Sequence, residues 1–223
     1  MMKPSLKISI VTVCLNAQST IGKTINSVLS QTYDNLELLI CDGCSTDKTV
    51  AVIQQFTDGR IKLVSEVDLG IYDAINKGIN RATGRIIHVL NADDQYNTPE
   101  VLSEIVSAFQ DAAERIDVVY AGIEYINSSG DRLNKWIPKA FSRGSYVKGY
   151  HTPHPGFFTT RHAYDKLGKY DCEYKIAADF DLMLRFMEHD SIKSKRLETV
   201  AVLMRADGES STIFGIFKGF LEL

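Results

Sequence analysis

The sequence is short of several things at once. Of 223 residues only four are cysteines (Cys14, Cys41, Cys44 and Cys172), one is tryptophan (Trp136) and five are prolines. The pair Cys41-x-x-Cys44 has no second pair and no nearby histidine, which excludes a zinc site of ordinary spacing. So few thiols in a chain this long fit a reducing compartment better than a disulfide framework. Cations are not in excess, the formal charge being -3, so no global positive field exists to hold nucleic acid. No apolar run reaches the length of a transmembrane helix. The opening M-M-K-P-S-L-K-I-S-I-V-T-V-C-L runs into Asn16 and Gln18 with no small-residue cleavage site, and reads as a first strand instead of a signal peptide. Neither G-x-G-x-x-G nor G-x-x-x-x-G-K-[ST] follows that strand, so a dinucleotide fold and a P-loop enzyme are both disfavoured. A cytoplasmic protein is expected.

What is present is ordinary for a soluble globular chain, with 44% hydrophobic and 24% charged residues. The length suffices for one sizeable core, read as a single domain over 1–223. Strand and helix patterns alternate through the first half. Ile8 to Leu15 is a β-rich run; Ile21, Ile25, Val28 and Leu29 recur at helical spacing behind Ser19 or Thr20. Leu36 to Cys41 reads as a strand, Val50, Ile53 and Phe56 mark a helix, and Ile61 to Ser65 is a third strand. Ile71, Ala74, Ile75, Gly78, Ile79 and Ala82 lie on one helix face, with Asp73, Asn76, Lys77 and Asn80 opposite. Ile86 to Leu90 follows, then a helix entered at Thr98-Pro99. This alternation with short connections predicts an α/β fold with a mostly parallel, doubly wound sheet and helices on both faces.

The pattern changes near residue 115. Val118 to Ile126 and Arg132 to Ile137 flank the turn sequence N-S-S-G-D and predict a hairpin. Residues 138–156 hold three of the five prolines and three glycines, which marks an irregular, site-lining segment. A helix from Ala178 to Glu188 and a strand from Thr199 to Leu203 complete a smaller mixed or antiparallel part.

Strand ends carry the chemistry. The run I-I-H-V-L-N-A-D-D (86–94) delivers Asn91, Asp93 and Asp94 to the C-terminal end of a buried strand, where open α/β sheets bind ligands. Adjacent carboxylates repel and call for a compensating charge, of which a divalent cation is the simplest. The plainer alternative is a strand-to-loop turn, for which Asn and Asp are ordinary residues. Asn16, Asp42, Glu66 with Asp68, and Asp93 with Asp94 end successive strands, and a parallel sheet brings them to one edge. Such a cluster suits the base and ribose of a nucleotide plus a cation on its phosphates.

Five segments, in order, carry a resemblance: V-T-V-C-L-N-A (11–17), S-V-L-S-Q-T-Y-D-N-L-E-L-L-I-C-D-G-C-S-T-D-K-T (27–49), D-L-G-I-Y-D-A-I-N-K-G-I (68–79), A-T-G-R-I-I-H-V-L-N-A-D-D (82–94) and A-D-F-D-L-M-L-R (178–185). Over 8–211 the chain resembles a family 2 glycosyltransferase, the inverting type on a GT-A nucleotide-sugar-binding fold. The resemblance implies a nucleotide-sugar half over about 1–115 and an acceptor half over about 116–223. By similarity Asp42 contacts base and ribose, Asp93 lies near the ribose, and Asp94 coordinates Mn2+ or Mg2+ on the diphosphate. Asn16, Asp68, Gly70 and Asn76 would help line the donor pocket, and Asp179 would be the general base. The implied partners are a nucleoside-diphosphate sugar, most simply UDP-linked, and a saccharide or lipid-linked saccharide acceptor of a surface polysaccharide or glycolipid.

Helical geometry puts Asp179 on the rim of the apolar face formed by Ile176, Ala177, Phe180, Met183, Leu184 and Met187, whereas Asp181 stands four residues before Arg185 as half of a salt pair. Asp179 also fits a first-turn acid favoured by the helix dipole. The chain departs from the family at Ala178, where an acid is common, at Gly43, where a second Asp is common, and in R-A-D-G-E-S-S (205–211), a weak match to a Gly-Gly-Ser motif. His154, between two prolines, reads equally as a third metal ligand, a phosphate donor, or a neutral histidine in a rigid loop. Trp136 suits packing or sugar stacking. Lys193, Lys195 and Arg196 form a basic cluster or a solvated turn. Ile213, Ile216, Phe217, Phe220 and Leu221 recur at helical spacing, which suits packing on the core, a homodimer contact, or peripheral contact with the inner face of a membrane. The rival functions are a sugar-nucleotide pyrophosphorylase, for which the first strand lacks a Gly-rich basic loop, and a non-catalytic nucleotide-sugar-binding or scaffolding subunit.

Overall fold

The computed structural model describes residues 5–110 and 114–206. The apolar tail at 213–221 and all but the first two residues of the 205–211 motif lie outside them. In chain order the elements are β1 (Ile8–Cys14), α1 (Ile21–Leu29), β2 (Leu36–Asp42), α2 (Thr49–Ile53), β3 (Ile61–Ser65), α3 (Ile71–Arg81), β4 (Ile86–Val89) and β5 (Gln95–Tyr96). Then come α4 (Val101–Gln110), β6 (Val118–Ile126), β7 (Arg132–Trp136), β8 (Phe157–Thr160), α5 (Arg161–Leu167), α6 (Ala178–Glu188) and β9 (Ser194–Arg205).

The strands form one nine-stranded sheet in the order β3-β2-β1-β4-β8-β6-β9-β5, with β7 paired to the far half of β6. The first four are parallel, and β8 joins β4 antiparallel. Central parallel strands are covered on both faces, so they read as unbroken apolar runs. Alternation along β1 divides them between two cores. Ile8 and Ile10 pack with α1, α2 and α4, whereas Val11 and Val13 pack with α3, α5 and α6. On α1 the residues buried are Ile21, Thr24, Ile25 and Val28, the spacing of one helical face.

The chain leaves β1 toward β2 on one side, while β4 flanks β1 on the other. That reversal opens a crevice at the C-terminal ends of β1 and β4, the switch point where α/β sheets bind ligands.

Four features depart from the expected elements. The two-residue β5 was not expected, nor were β8 and α5. F-F-T-T is too short to show a period, and R-H-A-Y-D-K-L has only Ala163 and Tyr164 buried, too few to mark an apolar face. β9 runs from Ser194, not Thr199, because its first residues are mostly polar and only half-buried and pair with β6 through backbone bonds. α2 stops at Ile53, leaving Phe56 in the following turn. Among the described residues no helix is long and apolar enough to cross a membrane.

Candidate active site

The crevice is a cavity of about 600 Å³ whose wall takes in Leu15 and Asn16 after β1, Asn91 to Asp94 after β4, Tyr72 and Ile75 of α3, His154, Tyr170, Lys175, Asp179, and Arg205 at the end of β9. Ligand sites of small-molecule enzymes fall in this size range.

After β4 the chain turns at once, the Asp94 N–H bonding Asn91 O at 3.1 Å. The turn is held from two sides. Thr24 Oγ1 of α1 donates to Asp94 O at 2.8 Å, and the Arg205 N–H donates to Asp94 Oδ1 at 3.1 Å. Asp94 is 2% exposed. Burial, reinforced by the neighbouring Asp93, pushes its pKa well above the carboxylate range. Asp93 is half-buried, and burial raises its pKa too, against the opposing pull of Arg205 and His154. Two adjacent acids held out of water are a standing cost that a cation would relieve.

Asp179 sits in the first turn of α6, and His154 Nδ1 stands 3.3 Å from its Oδ2. Asp181 bonds Arg185 Nε at 2.8 Å, as its spacing predicts. The cavity thus brings together Asn16, Asp93, Asp94, His154 and Asp179.

Asp42, Asp68, Gly70 and Asn76 stand outside that wall. Asp42 is buried and turned to the protein, accepting from Ser45 N–H at 3.1 Å and Ser65 Oγ at 2.6 Å. Asp68 accepts from the Gly70 N–H at 2.9 Å, and Gly70 starts α3 at φ 129°, a conformation that suits glycine. Asn76 clamps Tyr170, donating to its carbonyl at 2.8 Å and accepting from its N–H at 3.1 Å. The shared edge of a parallel sheet does bring strand ends together, but the cavity opens at the β1–β4 switch and the ends of β2 and β3 lie to one side of it. Asn16 spans the gap. At φ 53° its Oδ1 accepts from Thr46 N–H at 2.9 Å while its own N–H donates to Ser45 Oγ at 2.8 Å.

Sequence reading missed Tyr170 and Lys175 in the wall, and nothing in their local pattern marks them; Arg205 was visible only as the head of a weak motif. No group of three His, Cys, Asp or Glu side chains among the described residues is arranged to hold a metal ion by itself. Trp136 meets His151 edge-on at 4.8 Å and packs partly on the core. Arg196 donates to Pro138 O at 3.1 Å and pairs with Glu198.

The family model described as "Glycosyl transferase family 2" matches residues 9–172. A PGL/p-HBAD biosynthesis glycosyltransferase of Mycobacterium tuberculosis is 28% identical over 218 residues, covering 96% of this chain and 82% of that protein. The putative glycosyltransferase EpsE of Bacillus subtilis is 29% identical over 210 residues, covering 92% and 74%. Among solved structures, TarS 1-349 of S. aureus in complex with UDP-GlcNAc superposes with a TM-score of 0.74 at 18% identity, covering 92% of this chain and 60% of that one. The mannosyltransferase PcManGT of Pyrobaculum calidifontis, in complex with GDP-Man and Mn2+, gives 0.70 at 15%, covering 98% and 64%. This chain therefore spans less than two thirds of either solved chain. The fold is that of the GT-A-type α/β glycosyltransferases. Within that class, the chain belongs to glycosyl transferase family 2.

Proposed function

We propose that the chain is an inverting transferase that moves a sugar from a nucleoside-diphosphate donor to a hydroxyl acceptor. The observation that carries this reading is the meeting of Asp93, Asp94 and Asp179 on the wall of one cavity. The acid pair and the lone acid come from opposite halves of the sequence, which a mere surface turn and a helix-capping acid would have no reason to share.

The donor set suits a hard divalent cation, Mn2+ or Mg2+. Asp93 and Asp94 supply carboxylate oxygens, and such ions commonly take one or two carboxylates and complete their shell with substrate phosphates. That matches a site short of three protein ligands. When bound, the cation would neutralise charge on the departing diphosphate. Lys175 and Arg205 on the same wall add positive charge toward it. Asn16 and the 43–47 turn braced by Asp42 would meet the nucleoside end. Asp179 takes the proton from the acceptor hydroxyl as that oxygen attacks the anomeric carbon from the face opposite the leaving group. The mycobacterial relative's name and the UDP and UDP-GlcNAc complexes of TarS favour a UDP-sugar and an acceptor of the saccharide or lipid-linked saccharide class. The GDP-Man complex of PcManGT keeps GDP-sugars in the test.

The test is calorimetric titration of UDP-, GDP- and dTDP-sugars, with and without Mn2+, into the wild type and Asp94→Ala. Metal-dependent binding of one nucleotide class, lost in Asp94→Ala, is expected. Asp179→Asn should keep that binding and lose about 10²- to 10⁴-fold in turnover. Equal turnover in Asp179→Asn, or no binding of any donor, would sink the catalytic reading in favour of a scaffolding role.

A further inference from the structure

A carboxylate that abstracts a proton is effective only when an oxygen is held toward the reacting hydroxyl. Asp179 Oδ1 accepts the N–H of Phe180 at 2.8 Å. Oδ2 stands 3.3 Å from His154 Nδ1, and the two side chains are 28% and 27% exposed on the same cavity wall. Each oxygen keeps a lone pair for a substrate hydroxyl. Tyr170, on α6's other neighbouring segment, lies within electrostatic reach of Asp179, and Asp93 lies within reach of His154.

His154 is itself held. It opens a single 3₁₀ turn, His154–Gly156, between Pro153 and Pro155, whose rings fix the backbone on both sides. Fully buried His88, on β4, contacts Pro155 O from Nε2 at 2.9 Å and the Tyr96 hydroxyl from Nδ1 at 2.8 Å. A carbonyl only accepts, so Nε2 carries the proton and donates it, while Nδ1 accepts from Tyr96. Gly156 presses on β6 so closely that a Cβ would fall 2.2 Å from Ala121 O. Just upstream, Thr152 Oγ1 lies 3.1 Å from the Met183 sulfur of α6, tying this segment to the helix that carries Asp179.

We propose that His154 is the positioning residue of Asp179, its Nδ1–H fixing the carboxylate at the cavity wall, with His88 as the strut that sets the loop. The inference rests on Asp179 being the base. It gives His154 a role separate from the cation, since the atom its Nδ1 meets is Asp179 Oδ2.

Release of nucleoside diphosphate by slow hydrolysis of the bound UDP-, GDP- or dTDP-sugar reads turnover without an acceptor. His154→Ala should lower kcat about 10- to 100-fold, the loss usual for removing an orienting partner. Its affinities for donor and Mn2+ should stay within about twofold of wild type. His154→Asn, whose amide can donate from near the Nδ1 position, should recover most of the loss and also serves if the alanine variant folds poorly. In an Asp179→Asn background, His154→Ala should cost no further turnover, because the group it orients is gone. The proposal is overturned by an Asn variant as slow as the Ala variant, by additive losses in the double variant, or by a tenfold loss of Mn2+ affinity with kcat intact at saturating metal. If Asp179→Asn alone keeps full turnover, the base assignment fails and the positioning role falls with it, a result distinct from any failure of His154.

Discussion

Asp94 Oδ1 accepts the backbone N–H of Arg205 at 3.1 Å, joining the acidic turn after β4 to the last residue of β9. The bond fixes a carboxylate that burial and Asp93 hold above its ordinary pKa. For a group whose pKa is raised by folding, stability is full below the unfolded value and is lost as pH rises through the folded one. Above the ordinary carboxylate value and without metal, keeping Asp94 buried therefore weakens the fold. Asp94→Asn keeps an acceptor for Arg205 and removes the charge. It should stabilise the metal-free protein by about 1–2 kcal/mol, a few degrees in Tm, with the gap narrowing toward pH 4, while abolishing metal-dependent donor binding. A scanning fluorimetry trace at pH 7 in which the variant melts at or below wild type would contradict this.

How much of this was legible beforehand depends on the range of the interaction. The parallel strands, α1, α3, α4 and α6 announce themselves because their apolar spacing is local, and the hairpin of β6 and β7 by its N-S-S-G-D turn. β8 and α5 do not, since a four-residue strand and a mainly polar helix are specified by what they pair with. Asp93 and Asp94 stand out by their place at a strand end, and Asp179 by the family resemblance; the structure puts all three on one cavity wall. Their relation to His154 was not legible, because it depends on how the prolyl turn is pinned by His88 across the sheet. Asp42 was read as a ligand-facing acid, yet its carboxylate is turned inward to Ser45 and Ser65; nothing local distinguishes the two orientations.

His88 predicts an acid sensitivity. Burial lowers its pKa to about 3. An unfolded histidine takes a proton near pH 6.5 that the folded one refuses, so stability falls as pH drops below that value. Between pH 7 and pH 5 the loss from this residue is about 2 kcal/mol. His88→Phe cannot charge, but it leaves Pro155 O and the Tyr96 hydroxyl unpaired, at a cost of about 2–4 kcal/mol at pH 7. Urea unfolding of both proteins across this range should show their stability difference shrinking toward pH 5; a constant difference would reject the assignment.

Glu37, on β2, is 2% exposed and receives Lys62 Nζ at 2.6 Å, Ser9 Oγ at 2.6 Å and Thr83 N–H at 2.7 Å. Burial alone would raise its pKa, but the hydrogen bonds from Lys62, Ser9 and Thr83 outweigh it and hold the carboxyl below its ordinary value of 4.5. The stability it contributes is present above that value and is lost on further acidification. Glu37→Gln should cost about 1–3 kcal/mol at pH 7 and less below pH 4, with donor affinity unchanged because this cluster lies away from the cavity wall. A variant that unfolds at wild-type urea concentrations at pH 7 would show the network to be idle.

Asp42 offers the last separation of support from contact. Its carboxylate joins the ends of β2 and β3 through Ser65 and holds Ser45, whose Oγ accepts the N–H of Asn16 on the cavity wall. Removing it takes the shared acceptor from half-buried Ser45 and exposed Ser65, so Asp42→Ala should lose about 1–2 kcal/mol of stability. Because Asn16 then loses its brace, donor affinity should fall about tenfold with little change in turnover at saturating donor, the signature of lost binding shared by ground and transition states. Unchanged affinity in a destabilised variant would mean that the 43–47 turn stands clear of the nucleotide. A fall in turnover as large as that in affinity would mean that Asp42 influences the reacting end of the donor as well.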